Sequence, residues 1–325
     1  MRVSEAVAEG AARLAAAGIP SPRVDAELLL AYVLGIGRTR LLLADDLSAQ
    51  QRDRYRDLVA RRAARVPLQH LIGRAPFRHI ELRVGPGVFI PRPETEVMVD
   101  WALRWLRERP ERRPGAEPLR VVDLCAGSGA IAAAIAAEGA EIGEIRVYAV
   151  EVDPEALRWL QQNADDAAAA GIARIIVVPG DATDPTTLAD LDGTVDLVIS
   201  NPPYVPAGNA SALPPEVTEH DPAIAIFGGD DGLAVIRPLI RRAASLLRPG
   251  GAFAVEHDES HAQVVPALVT GDGRFAGVEL HHDLAGRPRF TTAMRASGAA
   301  AADPTHQPGA ETDSAGAARA GSGPP

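Results

Sequence analysis

Apolar residues between Val3 and Leu14 recur every three or four positions and predict an amphipathic helix, with Ser4 as its N-cap. A second predicted helix ends at Gly35, because glycine readily takes the left-handed conformation that closes a helix. Apolar stripes of this kind are buried by packing against one another. Residues 1–74 are therefore predicted to form a small N-terminal helical domain.

A third helix in this domain is predicted from a capping box, in which Ser48 and Gln51 satisfy each other's backbone groups, and it extends to about Ala64. The helix and the residue that follows its end are rich in arginine: Arg52, Arg54, Arg56, Arg61, Arg62 and Arg65. Two interpretations are open. The arginines form either a solvated polar face or a surface that meets an acidic or RNA-rich partner.

The next segment alternates polar and apolar residues with a period of two. Ile80–Val84 predicts one strand, Gly85-Pro86-Gly87 a turn and Val88–Ile90 a second strand. A helix and a linker rich in charge, proline and glycine follow this connecting β-hairpin. Together these elements make up residues 75–118.

From Leu119 onward, short apolar runs alternate with amphipathic segments. The predicted strands are Arg120–Leu124, Arg146–Val150, Ile175–Val178, Val195–Ile199, Ala252–Glu256, Val278–His281 and Arg289–Met294. The predicted helices lie near Gly129–Glu138, Pro154–Ala170, Gly232–Leu247 and Ser260–Thr270. Such alternation is typical of a parallel sheet with helices on both faces. Residues 119–295 are therefore predicted to form an α/β domain with a doubly wound, mostly parallel sheet of seven strands.

The composition limits the environment of the protein. Of its 325 residues 46% are apolar, and no apolar run approaches the roughly 18 residues that span a bilayer, so no membrane partner is expected. Cys125 is the only cysteine, which favours a reducing, cytoplasmic location. The net charge of −10 argues against unspecific binding along a nucleic-acid backbone. Residues 296–325 carry few large apolar side chains and are predicted to be a disordered tail.

Candidate chemistry begins where the first parallel strand meets its helix. Cys125, Ala126, Gly127, Ser128 and Gly129 form a turn whose glycines allow close approach of a ligand and whose serine can cap the helix. The spacing matches neither the dinucleotide-binding fingerprint nor a phosphate-binding P-loop. Taken alone, it is equally compatible with an ordinary tight turn.

Acidic residues follow the next two strands. Glu151 lies about 20 residues after the glycine turn, where a carboxylate commonly binds ribose hydroxyls. Asp181, followed by Ala182, comes after the third strand and can meet an adenine amino group. Asp153 is more simply an N-cap. Parallel strands present their carboxyl ends at one edge of the sheet, so these residues are expected to converge.

The fourth parallel strand ends in Asn201-Pro202-Pro203-Tyr204. Two prolines stiffen the backbone and remove two N–H donors. The Asn201 side-chain oxygen and the Pro202 carbonyl can accept two N–H bonds from a flat amide or amine, while Tyr204 covers one face of it. The alternative is a proline-rich loop in which the asparagine only caps the chain.

The joint pattern of strand ends resembles the class I S-adenosylmethionine-dependent methyltransferases. The segment Pro91–Glu96, the hairpin before it and the late segment Gly286–Phe290 further resemble the release factor glutamine methyltransferases (the PrmC/HemK family). The resemblance covers roughly residues 1 to 295. It implies the class I methyltransferase sheet, with the N-terminal domain recognising the substrate protein.

The resemblance also implies roles for the site residues. Cys125, Ala126, Gly127, Ser128 and Gly129 would line the methionine part of S-adenosyl-L-methionine, and Glu151 would bind its ribose. Asp181 and Ala182 would lie beside the adenine. Asn201, Pro202, Pro203 and Tyr204 would hold the substrate glutamine, with Asn201 also bordering the cofactor. Two positions depart from the family pattern, since Cys125-Ala126 stands where members often have Gly-Thr and Ala182 where some have a larger side chain.

The function that the resemblance implies is methylation of the N5 amide nitrogen of a glutamine, in the Gly-Gly-Gln motif of class I peptide-chain release factors, with S-adenosyl-L-homocysteine as the other product. Glutamine in a ribosomal protein and adenine N6 in DNA or RNA are alternative acceptors. No sequence-specific nucleic-acid partner is expected, because the chain is acidic and lacks a long basic region. No metal site is expected either, although His257 and His261 are four residues apart.

Overall fold

The computed structural model describes residues 1–108, 117–172 and 174–297. The predicted linker before Leu119 lies largely outside these residues, and the predicted disordered tail lies almost wholly outside them. The described part divides into a helical N-terminal unit, a two-stranded hairpin and a seven-stranded sheet flanked by helices.

The N-terminal unit consists of four α-helices, which are α1 (Val3–Ala16), α2 (Pro22–Leu34), α3 (Ala49–Ala63) and α4 (Leu68–Ile72), with a 3₁₀ helix at Arg38–Leu43. Leu14, Leu29 and Tyr55 are among the buried side chains that join these helices. The predicted capping box of α3 and the left-handed end of α2 at Gly35 are confirmed.

The predicted start of α1 is wrong. The N-cap is Arg2 rather than Ser4, which lies inside the helix. The Glu5 carboxylate accepts hydrogen bonds from the backbone N–H of Arg2 at 3.1 Å and from its side-chain Nε at 2.8 Å. The acidic first turn therefore fixes the beginning of this helix without the Ser4 hydroxyl.

The connecting hairpin is present, but its strands are displaced along the sequence. Strand β1 (Arg74–Phe77) pairs antiparallel with β2 (Ile80–Arg83), whereas Val88–Ile90 forms no strand. Val88 and Ile90 are buried in a small cluster with Ala156, so their hydrophobicity reports packing rather than strand pairing. Phe89 and the residues between it and the next helix therefore lie in an irregular segment.

The predicted doubly wound, mostly parallel sheet is confirmed. Its strands are β3 (Leu119–Leu124), β4 (Ile145–Glu151), β5 (Ile175–Pro179), β6 (Val195–Ser200), β7 (Leu247–Glu256), β8 (Phe275–His282) and β9 (Pro288–Arg295). They lie in the order β5-β4-β3-β6-β7-β9-β8. The first five are parallel to one another, and β9 pairs antiparallel with both β7 and β8.

Helices cover both faces of the sheet and bury its apolar side chains in two large clusters. One cluster involves α5 (Thr95–Arg107), α6 (Ala130–Glu138) and α7 (Pro154–Ala169). The other involves α10 (Ile236–Leu246) and α11 (Val264–Gly271). Short helices α8 (Pro215–His220) and α9 (Ala223–Ile226), with 3₁₀ turns at Gly139–Glu141, Ala189–Leu191, Ala207–Ala212 and Glu259–His261, complete the described fold.

Among the described residues, none of the helices combines the length and the apolar character that crossing a bilayer requires.

Candidate active site

A cavity of about 790 Å³ opens at the carboxyl ends of the parallel strands, where the strand order reverses between β3 and β6. Eleven of the predicted site residues border this cavity. They are Cys125, Ala126, Gly127, Ser128, Glu151, Asp181, Ala182, Asn201, Pro202, Pro203 and Tyr204. Gly129 does not border the cavity. The predicted convergence of the strand ends is therefore present.

The glycine turn follows β3 in a left-handed backbone conformation. Cys125 has a φ of 62° and Gly127 a φ of 55°. The Ala126 N–H donates to the Val150 carbonyl at 2.9 Å, which ties the turn to β4. A Cβ at Gly127 would meet no atom within 4 Å, so the backbone there presents an open surface to the cavity.

Gly129 and Ser128 act differently from the prediction. Gly129, with a φ of 84°, is the residue that precedes α6, and a Cβ there would lie 2.5 Å from Leu160 Cδ1. This glycine therefore permits close packing between helices rather than contact with a ligand. Ser128 does not cap α6 with its side chain, while its carbonyl accepts from Asn163 Nδ2 at 2.9 Å.

Glu151 holds two strand-end loops together. Its Oε1 accepts from the backbone N–H groups of Val152 and Asp153, both at 2.9 Å, and its Oε2 accepts from the Gly127 N–H at 2.8 Å. A carboxylate has about four acceptor positions, so one position on Oε2 remains for a hydroxyl group in the cavity. The residue predicted to bind ribose is thus also a brace for the glycine turn.

The third strand end contributes Asp181 and the buried Ala182. Asp181 Oδ1 accepts from both the backbone N–H and the hydroxyl of Thr183, each at 2.7 Å. These two bonds fix the orientation of the carboxylate. Asp153 accepts from the Glu155 N–H at 2.8 Å, which confirms its prediction as an N-cap.

The Asn-Pro-Pro-Tyr segment is anchored at both ends. The hydroxyl of Ser200 donates to the Leu124 carbonyl at 2.6 Å, which joins the end of β6 to the end of β3. After Tyr204, the Val205 N–H donates to the Ile226 carbonyl at 2.9 Å, and the Gly228 N–H donates to the Val205 carbonyl at 3.0 Å. The segment is therefore held between the sheet and the chain around α9.

Three side chains beside this segment were not singled out from the sequence. Asn201 Nδ2 donates to Thr95 Oγ1 at 3.1 Å, Thr95 Oγ1 donates to Glu256 Oε2 at 2.7 Å, and Tyr204 Oη donates to Glu256 Oε1 at 3.0 Å. Arg289 supplies a positive charge near Tyr204 and Glu256. Arg289 itself belongs to the late segment Gly286–Phe290 that carries the family resemblance, and Glu256 is a further acid at a strand end, so both signals were available in the sequence.

Burial changes the acidity of these groups. Glu256 is 1% exposed, and its pKa is raised to about 7 because burial disfavours the charged carboxylate. The pKa of Tyr204 is raised by burial and then by the nearby Glu256. The pKa of Cys125 is also raised by burial, which keeps its thiol protonated and unreactive at neutral pH.

The Pro-Arg-Pro segment forms another wall of the cavity. Arg92 Nη2 donates to Asp221 Oδ2 at 2.7 Å, and the Arg92 guanidinium lies 4.9 Å from the centre of the Phe89 ring. Glu94 borders the cavity, and its Oε1 lies 3.5 Å from Arg287 Nη2. Glu96 instead accepts from the Arg78 N–H at 3.0 Å. Of these two glutamates, Glu94 therefore borders the cavity and Glu96 does not.

The histidines considered for metal binding make hydrogen bonds to the protein. His257 bonds through Nε2 to Thr291 Oγ1 at 2.9 Å, and His261 bonds through Nε2 to the Asp231 carbonyl at 3.0 Å. Within the parts of the chain that the structure describes, no group of three or more His, Cys, Asp and Glu side chains is arranged to hold a metal ion.

Solved structures with the same architecture include the hMettl16 catalytic domain in complex with the MAT2A 3'UTR hairpin 6. It matches with a TM-score of 0.50 and 17% sequence identity, covering 74% of this chain and 82% of that one. At this level of identity the likeness establishes the fold. It agrees with the class I methyltransferase sheet expected from the strand ends.

Two families match separate stretches of the sequence. The PrmC N-terminal domain matches residues 5–73, and the methyltransferase small domain matches residues 94–214. The release factor glutamine methyltransferase of Mycolicibacterium smegmatis is 48% identical over 294 residues, which is 90% of this chain and 98% of that protein. The protein of the same name from Streptomyces coelicolor is 48% identical over 290 residues, covering 89% and 97%. This chain therefore belongs to the release factor glutamine methyltransferase family.

Proposed function

We propose that the protein transfers a methyl group from S-adenosyl-L-methionine to the N5 amide nitrogen of the glutamine in the Gly-Gly-Gln motif of class I peptide-chain release factors. The observation that carries the proposal is the Asn201 carboxamide, which borders the cavity while its nitrogen is bonded to Thr95. Its oxygen is then left to accept a hydrogen from an amide. Family membership supports the choice of acceptor.

The residues on the β3–β5 side of the cavity fit the proposed cofactor. Gly127 offers open backbone surface for the methionine part, and Glu151 retains an acceptor position for a ribose hydroxyl. Asp181 and Ala182 lie at the next strand end, where we place the adenine. The bound cofactor supplies a methyl group activated by a sulfonium centre, and its by-product is S-adenosyl-L-homocysteine.

The residues on the β6 side orient the acceptor. An amide nitrogen is a poor nucleophile because its lone pair is delocalised into the carbonyl. If Asn201 Oδ1 and the Pro202 carbonyl accept its two hydrogens, the nitrogen is held in one orientation, and these oxygens stabilise the positive charge that develops on it. Tyr204, packed on the amide plane, excludes water. The S–CH₃ bond breaks as the N–CH₃ bond forms, and the methylated nitrogen then gives one of its two hydrogens to solvent as a proton. An N-protonated amide is so acidic that this step needs neither a metal nor a strong base.

Two other acceptors present the same N–H groups. Glutamine in a ribosomal protein would satisfy the same oxygens, and so would the exocyclic amine of adenine in DNA or RNA. The adenine alternative is disfavoured by the net charge of −10, because a nucleic-acid backbone requires positive charge on its partner. We further propose that the N-terminal helices contact the release factor and that the reaction takes place in the cytoplasm, where Cys125 stays reduced.

The acceptor is tested by transfer of labelled methyl from S-adenosyl-L-methionine. Three acceptors are compared at equal concentration: a purified release factor, the same factor with its motif glutamine changed to alanine, and a DNA duplex that contains adenine. We expect label on the unchanged factor alone. Label on DNA, or equal label on both forms of the factor, would refute the proposed acceptor.

The role of Asn201 is tested by Asn201→Ala. Removing the acceptor oxygen is expected to lower kcat/KM by at least about 100-fold, as loss of a group that stabilises the transition state does elsewhere. Cofactor affinity, measured by calorimetry, is expected to stay largely intact. Asn209→Ala is the matched control, because Asn209 is an exposed asparagine in the same loop and should leave the rate unchanged. Full activity of the Asn201 variant would overturn the mechanism.

A further inference from the structure

We propose that Thr95 and Glu256 are positioning residues that hold the Asn201 carboxamide with its oxygen toward the cavity. The inference rests on the proposed function, because it assigns to these side chains the orientation of the group that would accept the substrate amide. Thr95 lies at the start of α5 and Glu256 at the end of β7, so neither is close in sequence to Asn201.

The direction of each hydrogen bond follows from the chemistry of the groups. An ionised carboxylate only accepts, so the Thr95 hydroxyl must give its single hydrogen to Glu256 Oε2, which lies 2.7 Å away. The hydroxyl oxygen can then only accept from Asn201, 3.1 Å away. The Asn201 side chain must therefore turn its NH₂ group toward Thr95. Its oxygen is left on the other side.

The second oxygen of the same carboxylate fixes the aromatic ring. Tyr204 Oη donates to Glu256 Oε1 at 3.0 Å. One buried carboxylate thus orients both side chains that would meet the substrate amide, the oxygen of Asn201 and the ring of Tyr204. Thr95 is 3% exposed and Glu256 1% exposed, so water does not compete for these bonds.

This arrangement requires Glu256 to be ionised. Three charged or titratable groups face it. They are Tyr204 in the loop after β6, Arg289 in β9 and Glu94, which directly precedes α5. Burial dominates their effects and raises the pKa of Glu256 to about 7. A protonated Glu256 becomes a donor, and the Thr95 hydrogen is then free to turn toward Asn201. The orientation of Asn201 should therefore weaken as the pH falls through about 7.

Thr95→Val removes the hydroxyl with little change of shape, and Thr95→Ser retains it. We expect Thr95→Val to lower kcat/KM for the release factor about 10- to 100-fold, because misorientation of a reacting group has costs of this size. Thr95→Ser should stay within about threefold of the wild type, and both variants should bind the cofactor as the wild type does. Thr292→Val is the control, since it removes a buried hydroxyl that bonds to His281 instead.

Two further measurements separate orientation from stability and from the proposed acceptor. The wild-type kcat/KM should fall below about pH 7, and Glu256→Gln should lower it and flatten this profile. In ¹⁵N-labelled protein, the side-chain NH₂ signals of Asn201, identified by their loss in Asn201→Ala, should shift in Thr95→Val but not in Thr292→Val. This readout does not depend on which acceptor is methylated.

Several results would overturn the inference. They are wild-type kinetics for Thr95→Val, unchanged Asn201 signals in that variant, or equal loss of activity and cofactor binding in the Val and Ser variants. If the wild type labels no release factor while the Asn201 signals respond as expected, the proposed acceptor fails and the positioning role stands.

Discussion

A cysteine occupies a left-handed backbone position at the start of the glycine turn. Cys125 has a φ of 62°, a conformation that favours glycine because other side chains crowd the following carbonyl. The glycine that the family resemblance implies at this position would adopt the conformation without this crowding. The half-buried thiol does not remove this strain, because the strain arises from the Cβ atom.

Replacing Cys125 by glycine and by alanine separates the backbone from the thiol. Both variants lose the sulfur, but only glycine relieves the left-handed strain, so Cys125→Gly should be more stable than Cys125→Ala by about 1 kcal/mol. The free energy of unfolding in urea measures the difference. Equal stability of the two variants would mean that the turn is not strained at this residue.

The buried Glu256 carboxylate should make stability depend on pH. Its pKa is raised from an ordinary 4.5 to about 7 in the folded protein. Between these values the unfolded chain ionises while the folded protein keeps the proton, so stability is full below about pH 4.5 and falls as the pH rises to about 7. The loss is on the order of 3 kcal/mol.

Glu256→Gln cannot ionise and should avoid this loss. Relative to the wild type, we expect the variant to gain stability at pH 8 and to gain little at pH 4.5, as measured by urea unfolding at both values. Glu259→Gln is the control, because Glu259 is exposed and lies only three residues away. An equal effect of Glu256→Gln at both pH values would contradict the assignment of the titration.

At the scale of elements, local signals predicted the helices and strands where local chemistry decides the structure. The Ser48 capping box and the glycine after α2 are complete within a few residues, so the sequence could reveal them. The prediction of a strand at Val88–Ile90 is wrong because an apolar run indicates that a segment is buried but not which segment it packs against. Two of its neighbours in the small cluster, Ala156 and Trp159, are on α7, about 70 residues further along the chain.

Local sequence signals also reveal only part of the site, because they do not show which distant residues meet. The glycine turn, Glu151 and Asn201 each follow a strand, and the rule for parallel sheets brings such positions together. Thr95 begins a helix before the sheet and meets Glu256 across 161 residues of sequence. No local pattern encodes that hydrogen bond. Only the fold reveals that the two side chains share it.

At the scale of the whole molecule, charged side chains join the N-terminal helices to the catalytic domain. Arg62, whose side chain is 8% exposed, bonds to Asp25 at 2.8 Å and to Glu216 at 3.0 Å. Arg65 also bonds to Glu216, at 3.2 Å. Glu216 belongs to α8, and Val217 beside it borders the cavity. Arg62 and Arg65, which the sequence left as part of either a solvated face or a partner-binding surface, therefore make contacts within the protein.

Removing Glu216 should loosen this junction. Glu216→Ala leaves Arg62 with one of its two carboxylates, and we expect the free energy of unfolding to fall by about 1–3 kcal/mol. We also expect the KM for the release factor to rise several-fold, because α8 helps to shape the cavity, while cofactor affinity is unchanged. Glu219→Ala, an exposed position in the same helix, is the matched control. A wild-type KM for Glu216→Ala would show that the junction does not shape the site.

The donor and acceptor sides of the cavity are built from different stretches of the chain, which meet where β3 pairs with β6. Most residues that we assign to the methyl donor lie in the loops after β3, β4 and β5. Asn201 begins a different stretch of chain after β6, which the Ser200–Leu124 hydrogen bond joins to the end of β3. Substitutions in the chain after Tyr204 can therefore change which acceptor fits the cavity without altering the loops after β3, β4 and β5.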